Sequence, residues 1–112
     1  MDIKIGCDLV PVSKFQKAVK GGGTSFLSRV FSAHELSGRL TPQTLAGFFA
    51  AKEAVKKALG PNLGWKEIEI IKDKRGRPHV RVVGPPTPIR KSDVSISHDG
   101  DFAMAVAVFL TQ

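Results

Sequence analysis

Thr41-Pro42 and Gly60-Pro61 bracket the stretch 42–59, and no other feature limits the fold of this chain as much. Threonine caps a helix, proline suits its first turn, and a Gly-Pro pair stops it. The spacing predicts one helix from Pro42 to about Leu59. At 100° per residue, Leu45, Phe48, Phe49, Val55 and Leu59 cover one apolar arc that needs a surface to pack against. Ala46, Ala50, Glu53 and Lys57 form a neighbouring stripe, where two small residues leave space between an acid and a base.

Strands on either side are the candidates for that surface. Ile3, Ile5, Cys7 and Leu9 put apolar residues on odd positions, as in a strand with one buried face and Asp8 on the other. Pro11 opens a helix whose buried side is Val12, Phe15 and Val19, with Lys14, Lys17 and Lys20 projecting opposite and Gly21-Gly22-Gly23 ending it. Phe26, Leu27, Val30 and Phe31 suggest a short helical segment, and Ser32-Ala33-His34-Glu35 fits a capping box. Beyond the long helix, Glu67–Ile70 and His79–Val82 alternate around a turn at 74–78. Asp93–His98 reads as a strand, Asp99-Gly100 as a hairpin turn, and Phe102–Leu110 as a mostly buried strand. A strand, then helices, then a β meander predicts an α+β fold, with helices packed on one face of an antiparallel sheet. Residues 1–112 form a single domain.

Seventeen Lys and Arg against ten Asp and Glu give a net charge of +7, which favours a polyanionic partner. Nucleic acid, a phosphorylated ligand and an acidic protein all qualify. With no Tyr and one Trp, exposed rings for stacking single-stranded bases are not evident. No apolar run approaches the ~20 residues of a membrane span. The single cysteine, Cys7, cannot form an internal disulfide, and a reducing cytoplasm fits best.

Two carboxylates from separate elements plus a lysine are the parts that hold Mg²⁺ against a diphosphate, and Asp8, Glu53 and Lys57 qualify. Each has a plainer alternative. Glu53 and Lys57 make an ordinary surface pair at i,i+4, worth about 0.2–0.5 kcal/mol, and a strand-terminal Asp8 tightens the turn that follows. Lys52 and Lys56 fall within the apolar arc: their heads either snorkel to solvent or point at phosphates. His98 is either satisfied by a neighbouring hydrogen bond or faces a ligand. Gly76-Arg77-Pro78 is a turn or a ligand contact, and His34 and His79 receive no role.

Taken in order, Gly6-x-Asp8-Leu9-Val10, Phe31-x-x-x-Glu35, Leu45-Ala46-Gly47-x-Phe49-Ala50-Ala51-Lys52-Glu53-Ala54-x-x-Lys57-Ala58-x-Gly60, Gly76-Arg77-Pro78 and Ser95-Ile96-Ser97-His98 resemble holo-acyl-carrier-protein synthases. These are the small 4′-phosphopantetheinyl transferases, and the resemblance runs from Ile5 to Val108. It implies transfer of the phosphopantetheine arm of coenzyme A to a serine of acyl carrier protein, with release of adenosine 3′,5′-bisphosphate. It also implies Mg²⁺ dependence and a homotrimer holding coenzyme A between adjacent subunits. Asp8 and Glu53 become the metal-binding acids and Lys57 the active-site lysine. Lys52, Lys56, Gly60, His98 and Arg39 border the coenzyme A cleft. Either Glu53 or a water on the metal takes the serine proton. Lys14, Lys17 and Lys20 become a docking face for the acidic carrier, close to Asp8.

Three departures stand out. Phe48 occupies a position where members commonly carry Arg, leaving Arg39 and Lys56 as alternative cations for a nucleotide phosphate. Pro61-Asn62 replaces the usual Thr-Gly, and the segment between Glu35 and Leu45 is short. Two competing readings are a small basic nucleic-acid-binding domain without catalysis and a catalytically idle relative serving as an interaction module.

Overall fold

Gly6 is the point on which the architecture turns. A Cβ at Gly6 would overlap the backbone carbonyl oxygen of Ala54, so the first strand lies directly on the long helix. In this computed structural model, residues 1–38 and 40–112 are described. Strand β1 is Asp2–Pro11, helix α1 Val12–Val30, the short α2 Ala33–Leu36 and the long α3 Pro42–Leu59. A 3₁₀ turn, Trp65–Glu67, leads to strands β2 (Ile68–Lys72), β3 (Pro78–Val82), β4 (Ile89–Asp99) and β5 (Phe102–Thr111).

Strands β1, β5 and β4 form an antiparallel sheet in that order, and β2 and β3 form a separate antiparallel hairpin. Helix α3 packs across the three-stranded sheet and against β2, while β3 lies beside β4. The α+β expectation of helices on one side of antiparallel strands is met, with the meander divided into two sheets. Ala103, Ala105 and Ala107 of β5 and Ala46, Ala50, Ala51 and Ala54 of α3 are all fully buried. Small residues on both elements let helix and sheet approach closely, so the space expected above Ala46 and Ala50 is filled by the protein itself.

The faces of β1 are the reverse of the expectation. Gly6 and Val10 are buried and Asp8 is half-buried, whereas Ile3, Ile5 and Leu9 are 74%, 65% and 59% exposed. Cys7 is exposed as well. Alternation fixes which residues share a face but not which face meets the helices, and only glycine allows the contact with Ala54. Strand β5 alternates in the same way, so it is half-buried rather than mostly buried, with Phe102, Met104 and Val108 exposed. Leu9 pairs with Met104 and Ile5 with Val108, joining these side chains into one uncovered apolar sheet face.

Thr41 caps α3 by accepting from the Thr44 N–H, and Ser32 with Glu35 completes the expected capping box. The break expected at the triple glycine occurs at Gly23, whose φ of 59° interrupts α1. The hairpin turn is Gly100-Asp101, one residue later than expected, since Asp99 still pairs with Phe102. Asp101 then caps α1 from a distance: it accepts from the Ser13 N–H at 3.0 Å and the Ser13 hydroxyl at 2.6 Å. Its carbonyl accepts from the Val12 N–H at 2.7 Å.

Candidate active site

Close packing of β1 on α3 brings the two acids singled out in the sequence to one place. Asp8 and Glu53 line the same groove, of about 350 Å³, together with Lys14, Phe15, Phe26 and Phe49. The aromatic wall is continuous, because Phe15 meets Phe49 at 5.2 Å between ring centroids and Phe49 stacks on Trp65 at 5.2 Å. Lys57 reaches back from α3 to β1, donating to Asp8 Oδ1 and to the Cys7 carbonyl, each at 3.1 Å. The surface pair weighed between Glu53 and Lys57 is thus replaced by a pair between Lys57 and Asp8. The hydrogen bond and charge of Asp8 raise the pKa of this exposed amine above its ordinary value.

These groups suit a hard divalent cation. Mg²⁺ takes one or two carboxylates and completes an octahedron with water and substrate phosphates. Lys57 occupies only Oδ1 of Asp8, and Glu53 borders the same space from the facing element. Among the described residues no cluster of three or more His, Cys, Asp or Glu forms, so substrate and water would have to supply the remaining ligands.

Lys52 requires a correction. Its ammonium neither snorkels to solvent nor points at a ligand: it is fully buried, 2.6 Å from Glu35 Oε1. It also donates to the carbonyls of Val30 at 2.8 Å and Trp65 at 3.2 Å, which uses all three N–H bonds. Glu35 accepts in addition from the Ser32 and Ile70 N–H groups, both at 2.8 Å. Burial lowers the Lys52 pKa, and the bond and charge of Glu35 oppose that shift. Lys52 therefore ties α3 to α2, the end of α1 and the 3₁₀ turn, Glu35 extends the tie to β2, and the neighbouring Glu53 lines the groove.

The other expected cleft residues are dispersed. Lys56 holds its ammonium 4.1 Å over the Trp65 ring. Gly60 ends α3 at φ 149°, where a side chain is strained, and lines a separate depression with Asn62, Glu67 and Pro86. His98 is exposed, and its Nε2 donates to the Gln43 carbonyl at 2.8 Å, which fulfils the simpler of its two readings. Arg39 lies outside the described residues. Lys14, Lys17 and Lys20 are all exposed on α1, with Lys14 at the groove itself. Arg77 pairs with both oxygens of Asp93 at 2.7 and 2.8 Å, so the Gly76-Arg77-Pro78 turn is tied to β4. Two groups were missed in the sequence: Asp101, which sits 88 residues from the Ser13 it caps, and Lys72, whose ammonium lies 5.5 Å from the Phe48 ring centroid.

Comparison with known proteins bears on this arrangement as a whole. Residues 4–107 match the 4′-phosphopantetheinyl transferase superfamily. A holo-[acyl-carrier-protein] synthase of Sulfurovum sp. is 37% identical over 112 residues, covering 94% of each chain. The crystal structure of Helicobacter pylori holo-[acyl-carrier-protein] synthase in complex with coenzyme A aligns with a TM-score of 0.86 at 34% identity, covering 95% of this chain and 99% of that one. A coenzyme A complex from Chronobacterium ammoniagenes aligns at 0.85 with 29% identity, covering 100% and 99%. The nucleic-acid reading explains the charge but none of this agreement. The chain belongs to the 4′-phosphopantetheinyl transferase superfamily, with holo-[acyl-carrier-protein] synthases as its relatives.

Proposed function

We propose that this enzyme transfers 4′-phosphopantetheine from coenzyme A to a serine of acyl carrier protein in the cytoplasm. The observation that carries the reading is the groove that Asp8 and Glu53 both line, with Lys57 held on Asp8. Asp8 and Glu53 would hold Mg²⁺, which when bound polarises the diphosphate and offsets its charge. The serine oxygen forms a bond to the phosphorus bearing the pantetheine arm, and the bond from that phosphorus to the bridging oxygen breaks. Adenosine 3′,5′-bisphosphate leaves with the electron pair. Glu53 accepts the serine proton, since Asp8 is already engaged by an amine. Lys57, a cation positioned by its bond to Asp8, balances the charge that builds on the departing phosphate.

Incubation with coenzyme A, Mg²⁺ and apo acyl carrier protein should add the mass of phosphopantetheine to the carrier. An unchanged carrier mass by intact-protein mass spectrometry would sink the reading.

The groove and the lysines beside it fit an acidic carrier, whose apolar contacts would seat against the partly buried Phe26. The variant Lys14→Glu combined with Lys17→Glu should raise the KM for carrier about tenfold or more, with the KM for coenzyme A changed less than about twofold. Steady-state kinetics with each substrate varied in turn checks this, and equal losses would remove α1 from the docking surface.

A homotrimer is part of the same proposal. The uncovered face bearing Ile3, Ile5, Leu9, Phe102, Met104 and Val108 exceeds what isolated surface hydrophobics account for, which favours coverage by neighbouring copies. Groups associated with coenzyme A lie in separate clefts of one chain, an arrangement suited to a ligand held between copies.

A further inference from the structure

The turn between β4 and β5 serves a helix that lies outside its own hairpin. Gly100 takes the turn at φ 56°, and the last residue of β1, Pro11, pairs with Phe102 just beyond it. That pairing sets Asp101 against the point where β1 becomes α1. The first turn of α1, Val12-Ser13-Lys14-Phe15, contains no acid, and Pro11 ahead of it has no side-chain acceptor. Its leading N–H groups would be left to water. Asp101 takes two of them: its carbonyl accepts from the Val12 N–H at 2.7 Å, and its Oδ1 from the Ser13 N–H at 3.0 Å. Oδ2 accepts from the Ser13 hydroxyl at 2.6 Å, so both carboxylate oxygens are engaged. The helix dipole also favours a negative charge at this end.

The capped segment is a wall of the candidate active site. Pro11, Lys14, Phe15 and Ala18 line the groove together with Asp8 and Glu53. Val12 and Phe15 anchor this wall in the core, and between Phe15 and the break at Gly23 no residue of α1 is fully buried. Lys14, Lys17 and Lys20 therefore stand on a stretch whose firmest ties are at its first turn. A helix held chiefly at one end keeps its direction only as well as that end is fixed.

We propose that Asp101 is a positioning residue for carrier recognition. By capping α1 from the β4–β5 turn, it fixes the direction in which the helix leaves β1, and so the placement of Lys14 and Lys17 beside the groove. This rests on the transferase reading above and adds to it a residue that acts on the carrier only through the helix. Asp8, Glu53 and Lys57 are placed by the contact of β1 with α3, so the chemical step does not depend on the cap.

Asp101→Ala should raise the KM for apo acyl carrier protein about fivefold, with kcat and the KM for coenzyme A within about twofold of wild type. Asp101→Asn should restore most of the loss, since its amide oxygen still accepts from the Ser13 N–H and its NH₂ can donate to the Ser13 hydroxyl. Added to Lys14→Glu with Lys17→Glu, Asp101→Ala should change the KM for carrier by less than about twofold, because the groups it places are already lost. Hydrogen exchange should quicken over residues 12–20 in Asp101→Ala and stay at the wild-type rate in β1 and α3. Equal losses for both substrates, or full additivity with the lysine variants, would make Asp101 a general stabiliser and overturn the assignment. A wild type that modifies no carrier removes the transferase reading and the carrier role with it. Normal transfer by Asp101→Ala at wild-type KM removes the role of Asp101 alone.

Discussion

Asp8→Ala and Glu53→Ala should each reduce transfer by more than about a hundredfold, a loss that changes merely adjacent to metal ligands already reach. Neither acid is fully buried, and neither belongs to the apolar core, so both variants should keep the wild-type melting profile. Asp8→Ala also frees Lys57 from its carboxylate and leaves the amine only the Cys7 carbonyl. It therefore takes away a metal ligand and the lysine's orientation together, as Glu53→Ala takes away a metal ligand and the acceptor of the serine proton. Carrier modification followed by mass spectrometry across Mg²⁺ concentrations measures the effect. Near-normal turnover in either variant would show that the acids do not form the metal site.

The second large effect is on stability. Glu35→Ala should cost about 3–5 kcal/mol, because it strands the buried Lys52 ammonium without its counter-charge. Both side chains are wholly shielded from water, so solvent does not screen the loss. Glu35→Gln should recover part of it, since an amide oxygen can still accept from the Ile70 N–H. Adding Lys52→Met to Glu35→Ala should also recover part, by removing the isolated charge. Urea denaturation of the set provides the check. A loss under about 1 kcal/mol for Glu35→Ala would mean that water enters and solvates Lys52.

How much of this was legible in the sequence follows from how local each cause is. The α3 boundaries and the capping box at Ser32 were readable because cap and capped groups lie within a few residues. The convergence of Asp8 and Glu53 was readable only from the combination of motifs, since neither residue alone implies a metal. The exposed side of β1 was not readable from alternation. Gly6 carried the signal, but only in conjunction with Ala54, almost fifty positions away. Lys52 looked out of place in an apolar arc for the same reason: its partner comes from α2, and the carbonyls that complete its shell come from two further segments.

The bare apolar flank of the sheet bears on how the protein matures. In the proposed trimer, a newly made copy completes its own interior yet carries a greasy surface that water penalises until siblings arrive. Solitary copies are then sticky, and dilution or slow synthesis leaves them open to aggregation for longer. Yield on refolding should accordingly depend on how quickly copies meet as well as on how quickly each one folds.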